Sequence, residues 1–252
     1  MIEAAERADA EDRPLTTAER IIGGGAMLLG PLLWLTGLAL RKVAVSTAGF
    51  TPEQQRRYAD EPFAAPEQLA AYAANPGLVT AGYAVFLIGA VVMIPAVAML
   101  ARLAATRSRV LAPLGGLLLV CGLIARMYAA GVEQAAFSLV DAHGLEFATA
   151  FVMDSYVDIS YGPWRVPVAA SAGQYVGGLL LAVALHRARV FGTGRAVILV
   201  WWATVWSGVL KSAGWGDLPS DVALALVLAT FAVHLIRTGA LRLLPVRRLR
   251  SW

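Results

Sequence analysis

Five carboxylates and one imidazole fall within a single stretch of 26 residues: Glu133, Asp141, His143, Glu146, Asp154 and Asp158. Carboxylates beside an imidazole can hold a divalent cation or pass protons. A carboxyl group in a low-dielectric pocket can also be kept protonated and serve as a general acid. A helix over residues 143–158 would make His143 and Glu146 neighbours at i,i+3, with Asp154 three turns further on and Asp158 at i+4 from it. Glu133, Glu146 and Asp154 are therefore the candidate catalytic acids if the protein is an enzyme. The plainer reading is a polar face in contact with water or lipid headgroups. Phe147 and Phe151 share nearly the same arc, so the face is not cleanly polar. His-x-x-Glu lacks the second ligand-bearing helix that a dinuclear metal bundle needs. No cofactor is predicted, and a divalent cation stands only as an alternative.

A second group consists of polar residues inside apolar runs. Arg126 and Lys211 each interrupt such a run near its end. A cation on a long stem can reach the interface from there, or it can face the bundle interior and hold an anion. Glu133 lies two turns beyond Arg126 on the same side of a continuous helix, and Asp217 and Asp221 could similarly meet Lys211. Gln174 is the one amide in its run, and its side chain should turn into the bundle, because an unbonded amide in hydrocarbon is costly. Trp206 lies deeper than Trp201 and Trp202, which fit an aromatic belt at the interface. Arg126, His143, Gln174, Trp206 and Lys211 thus form the candidate substrate pocket.

The elements that must position these groups are plain. Residues 21–40, 78–101 and 166–185 carry no charge over 20, 24 and 20 positions. A bilayer core of about 30 Å takes roughly 20 apolar residues of helix. The composition agrees: 58% of the 252 residues are hydrophobic and 15% charged, with a mean hydropathy of +0.65. Backbone polar groups must be satisfied internally in lipid, so these runs predict helices. The expected class is an all-α polytopic membrane bundle with spans at 21–40, 78–101, 110–132, 166–185, 196–215 and 218–236. Short interfacial helices would lie on the outer side.

Charge orients the bundle. With the N-terminus inside, 14 of 21 Lys and Arg fall on the inner side and 11 of 17 acids on the outer side. This predicts a protein of the bacterial cytoplasmic membrane with both termini cytoplasmic. It divides the chain into a cytoplasmic segment 1–20, a six-span domain 21–236 with outer segments 41–77 and 133–165, and a basic tail 237–252. Arg41 and Lys42 run against the pattern and are expected to reach outward to headgroups. The high pI of about 9.5 reflects this anchoring and membrane lipid as a partner, with no nucleic acid implied. Oligomeric state is left open.

In the first outer segment, Thr51 with Pro52 marks a helix start, Pro66-Glu67 a second, and Asn75-Pro76-Gly77 a stop; these elements are expected on the membrane surface. From residue 71 onward, AYAANPGLVTAGYAVFLIGAVVMIPAVAMLARL and, later, YVGGLLLAVALHRARVFGTGRAVILVWW carry a resemblance. The chain resembles a broad bacterial family of small multi-span membrane proteins known only as a domain of unknown function. Asn75, Pro76, Gly77, Arg187 and Arg189 match its layout of a polar turn into one span and a basic connector after another. The resemblance implies topology and supplies no catalytic residue.

Nucleotide loops, dinucleotide fingerprints, hydrolase elbows and His-Glu-x-x-His are all absent, and Cys121 stands alone in an apolar run. The sequence therefore favours a protein that handles, senses or gives protection from a small lipophilic molecule or lipid. A lyase, isomerase or cyclase using buried acids on an isoprenoid-like substrate, and a proton- or cation-coupled exporter, are the alternatives.

Overall fold

Thr16 and Thr51 each precede a residue three positions on that can return a hydrogen bond, and both open helices by reciprocal capping. The Thr16 hydroxyl accepts from the Glu19 amide and Glu19 from the Thr16 amide; Thr51 and Gln54 repeat the arrangement. The computed structural model describes residues 15–61, 63–161, 166–205, 216 and 218–238. Among these the elements are α1 (Thr17–Ser46), α2 (Pro52–Asp60), α3 (Ala65–Ala74), α4 (Pro76–Ala105), α5 (Leu111–His143), α6 (Leu145–Tyr161), α7 (Val166–Arg187), α8 (Thr193–Thr204) and α9 (Leu218–Thr238). The fold is all-α and polytopic. Among the described residues five helices are long and apolar enough to cross a membrane: α1, α4, α5, α9 and the Ala169–Arg187 part of α7. Large apolar side chains such as Ile21, Leu29, Ile88, Leu117, Val176 and Leu226 stay exposed on their outer faces, where a bilayer would cover them.

Two antiparallel pairs organise the bundle, α1 on α4 and α5 on α7, with α9 against α1 and α8 between α7 and α9. Glycine sets the closeness of both pairs. A Cβ at Gly37 would stand 2.4 Å from the Phe86 amide nitrogen, and one at Gly177 would stand 2.4 Å from that of Leu119. No side chain fits there, so the backbones touch, the small-residue packing that serves helices in lipid. At one end Glu19 pairs with Arg102, and Arg20 donates to the Ile236 carbonyl at 2.8 Å, tying α1 to α4 and α9. We call this the basic end and the opposite one the cap end.

The cap end departs from the sequence expectation in several ways. α5 does not stop at residue 132 but runs through Glu133 to His143, 33 residues or about 50 Å. It outruns the bilayer because nothing in 130–143 breaks a helix; the break comes at Gly144, with φ +85°. His143 therefore closes α5 while Glu146 opens α6, and the two do not share a helical face. The ring of His143 lies 5.0 Å from that of Phe147 instead. α3, expected on a surface, is buried: Ala65, Leu69 and Ala71 are fully enclosed. Its apolar side chains join Ala44, Tyr83, Phe137, Val140, Ala148 and Val152 in a second core, separate from the main one in the spans. The polar α2 remains exposed throughout most of its length.

Asn75, Pro76 and Gly77 act as expected, except that the stop is one residue long. Asn75 ends α3, and Pro76, needing no amide partner, begins α4 directly. The Tyr72 ring stacks on Phe137 at 4.6 Å, and its hydroxyl donates to Asp141 at 2.7 Å. This hydrogen bond, followed by burial, raises the Tyr72 pKa above the usual phenol value. A raised pKa means a contribution present below about pH 10 and lost as pH rises through the folded-state value. Tyr72→Phe is expected to cost about 1 kcal/mol. The variant should also show a smaller loss of cap stability than wild type above pH 10, measured by hydrogen exchange in α3. An unchanged alkaline profile would remove this bond from the account.

Candidate functional site

α8 has only 12 residues, about 18 Å, and so stops short of a full crossing. The span expected over 196–215 ends as a helix at Thr204, and Val205 is extended with φ −83° and ψ 119°. Residues 206–215 lie outside the described residues, and with them the candidate pocket residues Trp206 and Lys211. The last carbonyls of α8 come level with Gln174, inside the uncharged run of α7. At that depth they cannot turn to water and need protein donors.

Arg126 and Gln174 supply them. Gln174 Nε2 donates to the Ala203 carbonyl at 3.1 Å, and Arg126 Nη2 donates to the Val205 carbonyl at 3.2 Å. The two are joined to each other, Arg126 Nε to Gln174 Oε1 at 3.0 Å. Both side chains are 0% exposed. Arg126 therefore does not reach out to the interface; it faces the bundle interior. A cation at the negative end of the α8 dipole is favourably placed, above all where lipid and protein exclude water. Gly122 makes room for Gln174, since a Cβ there would meet the Gln174 backbone at 2.7 Å.

An aromatic group adjoins this cap. The Arg126 guanidinium carbon lies 5.4 Å from the Trp34 ring centre. Trp34 packs on Phe86 at 4.3 Å and meets Trp202 edge-on at 5.8 Å. Trp202 Nε1 then donates to Asp221 Oδ1 at 3.0 Å. Trp202 is buried, not part of an interfacial belt, whereas Trp201 is 44% exposed. Asp221, in the first turn of α9, sits at the end of that helix where an anion is favoured. A buried cation on α5 and a buried anion on α9 thus flank two indoles, and α1, α4, α5, α7, α8 and α9 all contribute. One donor in this group is unsatisfied: Trp34 Nε1 is buried and has no hydrogen-bond partner. Orphaned buried donors are rare in folded proteins and call for an explanation.

The other candidate residues separate. Glu133 is buried in α5, while Glu146, Asp154 and Asp158 are exposed on α6 and His143 is exposed at the end of α5. The three candidate acids are therefore not enclosed together. Among the described residues no group of three or more His, Cys, Asp or Glu could hold a metal ion. Arg41 and Lys42 are not at headgroups but buried, at 3% and 8% exposure. The Arg41 guanidinium lies 4.0 Å over the Tyr83 ring and donates to Gln68 Oε1 at 3.4 Å. Nearby on α3, burial pushes the carboxyl of Glu67 up from its usual pKa, with the Lys42 cation pulling the other way.

Sequence reasoning missed Trp34, Trp202, Asp221, Tyr83 and Gln68 as members of these groups. Trp34 had a signal, a tryptophan at the centre of an uncharged run rather than at its border. Gln68 had none, because a polar residue in a polar segment reads as exposed. No family model, no curated protein and no solved structure matches the chain.

Proposed function

We propose that this membrane protein handles a small lipophilic molecule or lipid, held within the bundle beside Arg126, Trp34 and Trp202. The observation that carries the reading is the orphaned Trp34 N–H, buried among aromatic rings and next to a buried guanidinium. An oxygen acceptor on an otherwise apolar ligand would satisfy it, and the rings of Trp34, Phe86 and Trp202 offer the apolar part a surface. Ionisable side chains at membrane depth most often mark such sites. The cation asymmetry between the two ends supports an orientation with both termini cytoplasmic and the cap outside, in a bacterial cytoplasmic membrane. The resemblance to the bacterial family of small multi-span proteins fits the same placement. A lyase or cyclase using Glu133, Glu146 and Asp154 draws little support from acids that are divided between interior and surface.

The test is retention of ligand. Full-length protein purified in mild detergent and supplied with total lipid extract should carry a defined lipophile, read by mass spectrometry of the bound fraction. Trp34→Phe keeps an aromatic ring and removes the donor. It should lower retention about tenfold, the worth of one hydrogen bond made in a dry site, with helical content unchanged. Equal retention by Trp34→Phe, or none by wild type, would remove the reading.

A further inference from the structure

Two helices of the cap end present faces that their own chain leaves uncovered. α6 buries Ala148 and Val152 in the cap core, with Phe137 and Val140 of α5, and so turns its other side outward. That side carries Phe147, Phe151, Asp154 and Asp158, at i, i+4, i+7 and i+11, a single stripe of a helix. The two phenyl rings stack at 6.2 Å with 11° between their planes, yet remain 50% and 41% exposed. The ring of His143 extends the ladder, and Glu146 is exposed beside it. Lipid tails do not cover this stripe. A crossing of about 20 residues begun at Leu111 is complete near Ala130, and α5 runs on to His143, about 20 Å further. Phe147 and Phe151 follow one and two turns after that summit, outside the hydrocarbon.

α2 is the other helix. None of its nine residues is buried; it keeps its shape through the reciprocal Thr51–Gln54 cap and the edge-on contact of Tyr58 with Phe50 at 5.1 Å. A helix of this length is marginal in water without tertiary packing. Its sequence, PEQQRRYAD, has no apolar face to lay on a membrane. It does present Arg56 and Arg57. With Arg41 and Lys42 buried, these two are the exposed cations of the cap among the described residues. Among those residues neither arginine has an ion-pair partner, and neither do Glu146, Asp154 and Asp158.

A stripe of rings and carboxylates is matched by guanidinium groups, which stack flat on the one and fork to the other. A second α6 cannot serve, because it brings the same negative charges. Within one chain α2 does not pack on α6. We infer that α2 of a second copy docks on the exposed stripe of α6, and that the first copy's α2 returns the contact. Such an exchange is the isologous pattern of a two-fold dimer, and an axis along the membrane normal keeps both copies upright in one bilayer. The short 61–64 link joins α2 to α3, which shares the cap core with α6, so the two surfaces lie close together on each cap.

The test is the mass of the full chain in maltoside micelles, by light scattering with the detergent subtracted; a dimer is expected. Arg56→Glu with Arg57→Glu should raise its dissociation constant about tenfold or more, since like charges then face each other, with helical content unchanged. Asp154→Arg with Asp158→Arg should do the same. Mixed one to one under separate tags, the two double variants face opposite charges in both contacts and should recover wild-type affinity as a heterodimer. If a double variant fails to fold, Phe147→Ala takes its place and should weaken the dimer about tenfold. The interface is refuted if wild type is monomeric, if Phe147→Ala dimerises like wild type, or if mixing restores nothing. A dimer that survives the arginine reversal also refutes it, and assigns the contact to the apolar outer faces of the spans. None of these outcomes bears on ligand retention at Trp34, so the two proposals fail separately.

Discussion

Arg126→Met is expected to destabilise the protein by about 3–5 kcal/mol, although it keeps the side chain's approximate length and adds no polar group. The Val205 carbonyl and Gln174 Oε1 both accept from Arg126, and the substitution leaves the half-buried carbonyl and the buried amide oxygen without that donor. Each orphaned acceptor costs about 1–3 kcal/mol. The broken end of α8 also loses the cation at its negative pole, worth up to about 2 kcal/mol in a buried setting. Relief from burying a charge works in the other direction and keeps the total from being larger. Arg126→Lys should recover only part of the loss, because a single ammonium on a shorter reach cannot span the amide and the carbonyl together. Reversible unfolding in mixed micelles reads the difference. A Met variant within about 1 kcal/mol of wild type, the range of an ordinary substitution, would mean that α8 does not depend on Arg126 for its ending.

Gly37→Val should be as damaging, for a steric reason. The nearest atoms to a Cβ there are Phe86 N at 2.4 Å, the Gly82 carbonyl oxygen at 2.6 Å and Phe86 Cα at 2.6 Å, all backbone. A flexible side chain could swing away; a helix backbone can yield only by moving α1 and α4 apart. That separation would loosen Trp34, whose own backbone lies against Gly89, and Arg41, whose stem lies against Gly82. Overpacking costs about 1–3 kcal/mol where neighbours can adjust and more where they cannot, so a loss of at least about 3 kcal/mol is expected, with ligand retention reduced in parallel. Gly25→Ala is the matched control. Nothing lies within 4 Å of a Cβ there, and alanine is the better helix former by roughly 0.5–1 kcal/mol. If Gly37→Val and Gly25→Ala unfold alike, close backbone contact is not what holds α1 on α4.

Parts of the site were legible before any coordinates. The turn of Gln174 into the bundle interior followed from the cost of an unbonded amide in hydrocarbon, whereas Arg126 was open to either the interface or the interior. The inward option for Arg126 could not be chosen over the interface, because one of its acceptors is the Val205 carbonyl, a backbone group that every residue possesses. The end of α8 was illegible for the same reason. Residues 196–205 contain neither glycine nor proline and hold the hydropathy of a span, so nothing in them marks the end of the helix at Thr204.

Local chemistry determined what depended on neighbours in the chain. Uncharged runs required helices in lipid, Thr51 and Pro52 began α2, Pro76 began α4, and the membrane class followed from length and apolarity alone. Tertiary structure decided the rest. Arg41, Lys42, Gln68 and Asp221 are polar residues in or beside polar segments, and their hydropathy places them at a surface. They are buried because α3 is itself enclosed between α1, α4, α5 and α6, and because α8 and α9 meet at Trp202. Burial of a polar side chain is fixed by what packs over it and by which distant donor or acceptor it finds there. Partners such as Arg41 and Gln68, 27 residues apart, or Arg126 and Val205, 79 residues apart, meet only once the helices have assembled.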